Sequence, residues 1–216
     1  MEIFDIALLV ALIISVILHE MAHGYAANWL GDPTARLQGR LSANPLVHID
    51  PLMSVIIPAL LVFSQADFIF GAAKPVPYNP YNFINQKWGE AIVAAAGPLA
   101  NIVIAVIFAV LVRMADVLSL SDTFVYLSVW IIVMNIFLAF FNLVPLPPLD
   151  GSKILPRLLP YSLAMKYEQF RFVFERNIAF GFVLVIVVFI VFLAPPLTKL
   201  TLFLTELLVG SSIVLF

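Results

Sequence analysis

The sequence predicts an all-α polytopic membrane protein with about five spanning helices, one re-entrant or partly inserted segment, and short β strands near residues 34–49. Three observations carry this. The 216 residues are 63% hydrophobic and 11% charged, with a mean hydropathy of +1.08, whereas soluble chains hold roughly 45–50% apolar and about 25% charged residues. Apolar runs of the length needed to cross about 30 Å of hydrocarbon recur along the chain. The 15 prolines mark breaks between or within those runs.

The same composition excludes other classes. A net charge of −2 with no basic stripe gives no surface for nucleic acid. With no Cys, disulfides, thiol nucleophiles and thiolate ligands all drop out, so any metal must be held by His, Asp or Glu. The N-terminus, Met1-Glu2-Ile3-Phe4-Asp5, lacks the positive start and small-residue cleavage site of a signal peptide, and its apolar run is expected to persist. One integral-membrane domain, 1–216, is the simplest organisation.

The first helix is expected over residues 3–30, ending at Gly31-Asp32-Pro33. Its second half carries His19-Glu20-Met21-Ala22-His23. Positions i and i+4 share one helix face, so both imidazoles can reach one metal ion, with Glu20 set to one side toward a metal-bound water. Ionisable groups at this depth are rare unless they line a protein interior or a wet cavity. Two core histidines beside an incidental glutamate are the bland alternative, and the shared face inside an apolar run argues against it.

Residues 34–49 are polar enough to lie outside the hydrocarbon, with short strands around Gly39. Residues 52–70 form a further apolar run. If this run dips and returns, the segments bearing Arg36, Arg40, Lys74, Lys87, Lys153, Arg157, Lys166, Arg171 and Arg176 lie on one side; a full crossing would split them. The positive-inside bias therefore favours a re-entrant segment. The Pro-, Asn- and Tyr-rich loop that follows reads as interfacial, with Tyr78, Tyr81 and Trp88 near headgroup level. Lys74 could touch substrate, although an interfacial lysine is the simpler account.

A second span over 89–112 contains Gly97-Pro98-Leu99-Ala100-Asn101, where small residues permit close helix contact and the proline can bend the backbone. Asn101 has two readings of equal weight, an interhelical hydrogen bond or the orientation of a metal ligand or substrate backbone. A third span over 124–143 runs into Asn142-Leu143-Val144-Pro145-Leu146-Pro147-Pro148-Leu149-Asp150-Gly151, where three prolines forbid a regular helix and extended backbone delivers Asp150 to a set place. Residues 152–176 suit an amphipathic interfacial helix. A fourth span is expected over 177–193, stopped by Pro195-Pro196, and a fifth over 197–216, long enough to cross although it carries Lys199 and Glu206.

Catalytic zinc takes three protein ligands and keeps one position open. His19 and His23 supply two, and Asp150, His48, Asp50, Glu90 and Asp67 compete for the third. Asp150 ranks first, because its prolines account for a carboxylate beside a membrane segment and the charge bias puts it on the side of His23. His48 is the main rival as a ligand or as its outer support, although an interfacial histidine capped by turn contacts is its simplest reading. Glu20 is the expected general base, and Asn142 a candidate donor to the developing oxyanion.

Taken together, the pentad at 19–23, the element at 97–101 and the stretch at 142–151 resemble the site-2 protease family of intramembrane zinc metalloproteases, in a compact bacterial form without a PDZ domain. The resemblance covers residues 3 to roughly 170. It implies one Zn²⁺ per chain held by His19, His23 and Asp150, Glu20 as catalytic base, Asn142 as a substrate or transition-state contact, a membrane-embedded protein substrate, and a site opening toward the cytoplasm of a multi-pass cell-membrane protein. A metal-ion transporter and a catalytically silent scaffold are the competing classes; transport would favour further acidic or His positions along a path, often with paired repeats.

Overall fold

In a computed structural model, the described residues are 3–56, 63 and 73–210. They build an all-α architecture with four helices long and apolar enough to cross a membrane. The first, α1 (Ile3–Trp29), buries Ser15, Ile17, His19, His23, Gly24 and Ala27. After a short α2 (Thr34–Leu37) comes a 3₁₀ turn, Pro45–His48. The other long helices are α3 (Gly89–Arg113), followed by the short α4 (Ala115–Leu118), and α5 (Asp122–Asn142). Beyond them lie α6 (Gly151–Leu158), α7 (Tyr161–Arg176), α8 (Ile178–Val188) and α9 (Ala194–Val209).

Side-chain contacts give the direction of each span. Phe4 meets the Tyr126 ring at 5.1 Å and Ser15 meets Asn135, so α1 and α5 run parallel. His19 meets Asn101 and His23 meets Val93, so α3 runs against α1. Lipid tails supply no hydrophobic drive between helices, and close approach of small residues must supply contact instead. Accordingly, α3 turns Ala94, Gly97, Asn101, Ala105 and Ala109 inward. At the end far from His19, the core of Ala105, Ala109, Val112, Val129, Ile132, Ile136 and Val209 joins α3, α5 and α9. There the Arg113 guanidinium donates from Nε to the Leu208 carbonyl at 2.5 Å and from Nη2 to the Leu207 carbonyl at 2.9 Å, capping α9. Pro98 sits inside α3, which remains helical through it.

Two expectations are corrected. Among the described residues, 34–49 contain no strand. Asn44 accepts a hydrogen bond from the Leu46 N–H, and Pro45 opens the 3₁₀ turn; proline cannot donate to a ladder, and the Asn44 cap favours a local turn over pairing. The expected fourth and fifth spans are one, over Phe180–Val209. Instead of stopping at Pro195-Pro196, the chain passes from α8 through a π-helical turn, Phe189–Leu193, into α9. The two prolines fall in the first turn of α9, where their fixed φ suits a helix start.

Of the expected re-entrant segment at 52–70, residues 57–62 and 64–70, with Asp67, lie outside the described residues, and its start belongs to a π-helical turn, Pro51–Ile56. Its flanks nonetheless meet at one end of the molecule. Lys74 N–H donates to the His48 carbonyl at 2.8 Å, Arg40 Nη2 donates to the Lys74 carbonyl at 2.7 Å, and Asn79 N–H donates to Asp32 at 2.7 Å. The interfacial loop thus packs beside the C-terminal end of α1. The expected amphipathic stretch at 152–176 divides into α6 and α7 around Pro160.

Candidate metal centre

One neighbouring span, α3, and the broken segment after α5 converge on the pentad of α1. His19 and His23, one helical turn apart on α1, hold their rings edge to face with centroids 4.7 Å apart. Their Nε2 atoms lie 3.1 Å apart. Asp150 enters from the chain beyond α5, with Oδ2 at 3.2 Å from His19 Nε2 and 3.3 Å from His23 Nε2. The three side chains form a buried group able to hold a metal ion. Gly151 makes that delivery possible: a Cβ there would run into the Leu143 carbonyl, so the start of α6 can fold back on the end of α5 only without a side chain. The Ser152 hydroxyl donates to the Leu149 carbonyl at 2.6 Å and pins the same turn.

The far side of each ring decides what the near side can do. His23 Nδ1 lies 2.7 Å from the Val93 carbonyl, which only accepts, so Nδ1 carries the proton and Nε2 keeps a lone pair. His19 Nδ1 lies 2.6 Å from Asn101 Oδ1, with the same consequence. Two imidazole lone pairs and a carboxylate oxygen then face one another at 3.1–3.3 Å. With no proton between them, such a trio repels unless a cation sits among them.

The spacing fits zinc. Ligand atoms about 2.0–2.1 Å from a tetrahedral ion stand about 3.3 Å from one another. The space is also kept open: a Cβ on Gly97 would come 2.5 Å from His23 Nε2 and 2.6 Å from His19 Nε2, so only glycine leaves this face of α3 clear. The donor set of two imidazoles and a carboxylate is that of an open catalytic zinc site.

Around this trio, Lys153 Nζ stands 3.9 Å from Asp150 Oδ1 and 5.5 Å over the Tyr78 ring. Burial disfavours the Lys153 ammonium, yet Tyr78, Asp150 and Glu175 outweigh it and hold the group above the usual lysine range. Glu20 Oε2 accepts the Val76 N–H at 2.9 Å, so the extended segment at 73–79 passes directly beside the carboxylate. Arg40 faces the carbonyls of Lys74 and Pro75.

The remaining candidates are placed elsewhere. His48 is buried, its Nε2 2.8 Å from the Ser42 carbonyl, and it stands outside the trio, as does Asp50. Glu90 is committed to Arg157 at 3.1 Å and Arg171 at 3.0 Å, which ties the start of α3 to α6 and α7. Lys74 is exposed, and its backbone makes the bonds already described. Asn142 Nδ2 donates to the Leu138 carbonyl at 2.9 Å, one turn back on its own helix. Asn135, which sequence reasoning passed over, is fully buried and accepts from Asn101 Nδ2 at 2.8 Å.

Comparison with known proteins points the same way. The model of Peptidase family M50 matches residues 113–188. The chain is 37% identical over 190 residues to "Putative zinc metalloprotease YwhC" of Bacillus subtilis, covering 85% of this chain and 80% of that protein. It is 31% identical over 159 residues to "Putative zinc metalloprotease Rip2" of Mycolicibacterium smegmatis, covering 68% of this chain and 56% of that protein. It is 38% identical over 89 residues to "Putative zinc metalloprotease MJ0611" of Methanocaldococcus jannaschii, covering 40% and 45% respectively. No solved structure matches.

Proposed function

This chain belongs to peptidase family M50, and from that premise we propose that it is a zinc-dependent endopeptidase that hydrolyses peptide bonds of transmembrane proteins within or near the bilayer. The observation that carries the reading is the convergence of His19 Nε2, His23 Nε2 and Asp150 Oδ2 at 3.1–3.3 Å beneath a glycine that leaves the space open.

His19, His23 and Asp150 would hold one zinc ion per chain. When bound, zinc polarises a carbonyl and acidifies water, which supplies the electrophilic part of the reaction. The chain's own groups do the rest. Asn101 and the Val93 carbonyl hold the two imidazoles in the ligating tautomer. Lys153 stands by the outward oxygen of Asp150 and so favours presentation of the inward one. Glu20 takes the proton from the attacking water and returns it to the leaving amine. Its bond to the Val76 N–H engages Oε2, leaving Oε1 for that transfer. Asn142 would donate to the oxyanion after turning from the Leu138 carbonyl.

A helical carbonyl is shielded and already hydrogen-bonded, so a substrate span must unwind locally before attack. Nine of the 11 Lys and Arg residues sit at the site end of the spans or in the segments joined to it, which by the positive-inside bias is the cytoplasmic end. The proposed protein is therefore multi-pass, with its site opening toward the cytoplasm.

The test pairs the wild-type protein with Glu20→Gln in mild detergent, each incubated with single-span peptides. Cleavage should fall by about 10²- to 10⁴-fold in the variant while zinc content is unchanged. Equal cleavage by the two proteins would sink the mechanism.

A further inference from the structure

We propose that Asn135 is a positioning residue that sets the tautomer of His19 through Asn101. The inference rests on the reading of His19 as a metal ligand through Nε2, and it explains why a buried polar chain crosses the apolar interface of α1, α3 and α5.

The chain of bonds has a fixed sense. It starts at the Ile131 carbonyl, which can only accept. Asn135 Nδ2 donates to it at 2.9 Å and to Ser15 Oγ at 3.0 Å. That orientation turns Asn135 Oδ1 toward α3, where it accepts from Asn101 Nδ2 at 2.8 Å. Asn101 Oδ1 is thereby left facing His19 Nδ1 at 2.6 Å, and an acceptor at that place requires the proton on Nδ1. Asn101, Asn135 and Ser15 are all buried, so water cannot readily replace a missing partner.

The chain has a competitor to defeat. His19 Nε2 lies 3.2 Å from Asp150 Oδ2, so before metal arrives a proton on Nε2 would gain a charge-assisted hydrogen bond to the carboxylate. Asn101 alone cannot prevent this: rotated by half a turn, its amide would offer Nδ2 to a bare Nδ1 and accommodate the wrong tautomer. Asn135 makes that rotation costly, because it would bring Asn101 Oδ1 against Asn135 Oδ1. Asn135 thus keeps the lone pair of His19 directed at the metal position even when that position holds no ion.

Histidine-selective ¹⁵N labelling tests this in the full-length protein in detergent, stripped of metal and held at about pH 8, where only three rings are present. The wild-type protein should show His19 protonated at Nδ1 and bare at Nε2. Asn135→Leu should shift His19 toward protonation at Nε2, leave His23 unchanged, and lower zinc affinity, measured by chelator competition, about ten- to hundredfold. Adding Asn101→Asp to Asn135→Leu should restore both readouts, since either carboxylate oxygen accepts from Nδ1 without help from Asn135. A wild-type His19 protonated at Nε2 overturns the proposal without any variant. So does Asn135→Leu with wild-type tautomer and affinity, or a loss that Asn101→Asp does not rescue, which marks a merely structural role. Failure of the wild-type protein to bind zinc would overturn the reading of the site, and the tautomer result would still judge the relay.

Discussion

A single methyl group on Gly97 would stand 2.5 Å from His23 Nε2 and 2.6 Å from His19 Nε2, against the two atoms that would hold an ion. Gly97→Ala is therefore expected to lower zinc affinity by more than about tenfold, with α3 otherwise intact because alanine is the better helix former. Chelator competition alongside circular dichroism checks this; undiminished affinity would mean that ion and glycine do not share that space. At this scale the pentad was legible in the sequence because two histidines at i and i+4 can be assigned to one face without tertiary information. Asp150 was legible because three prolines before it mark a deliberate opening of a membrane segment. Asn135 was not legible: a lone amide in an apolar helix looks the same whether it meets lipid or Asn101, 34 residues away in sequence. For Glu20 the sequence suggested a direction, while the Val76 N–H that holds it belongs to a segment whose placement only the fold reveals.

Among the elements, the connection between the interfacial loop and α1 depends on Asp32. Its carboxylate accepts from Thr34 Oγ1 at 2.5 Å, from the Asn79 N–H at 2.7 Å and from Asn82 Nδ2 at 2.7 Å. Burial pushes this carboxyl up, but the donors from Thr34, Asn79 and Asn82 outweigh it and hold its pKa below the ordinary value. A folded-state pKa below the unfolded one contributes stability that is fully present above about pH 4 and lost as pH falls through the folded value. Asp32→Ala should cost about 1 kcal/mol at neutral pH by removing the acceptor that these half-buried hydrogen bonds share. Thermal unfolding in detergent should show the gap between wild type and variant closing below about pH 4; a gap independent of pH would assign the stabilisation to packing. The same scale explains the two misread elements. Pro195-Pro196 reads as a stop when helices are counted by their breakers, yet prolines in a first turn are compatible with a helix that continues from a π turn. The polar stretch at 34–49 could be extended or turned by composition, and a side-chain cap at Asn44 decided for turns.

For the whole molecule, the four candidate spans among the described residues alternate in direction, and the positive-inside bias predicts which way they face. With no native Cys, single cysteines can map that orientation in intact cells. A cysteine at Lys87 or Lys166 should resist a membrane-impermeant maleimide until the membrane is opened, whereas one at Ser121, beyond the far end of α3, should react at once. The reverse pattern would invert the molecule and place the site on the opposite face. Among the described residues the number of spans was not legible, because Pro195-Pro196 reads as a break between two helices where one 30-residue helix continues.

The account stands on one metal ion held by groups from α1 and from the turn before α6. The most direct measurement is zinc per chain in protein purified in mild detergent, compared between wild type and Asp150→Ala. One zinc per wild-type chain, falling well below that in the variant while His23 and His19 remain, is the predicted result. A wild-type protein without zinc, or an Asp150→Ala protein that retains it in full with unchanged affinity, would contradict the site.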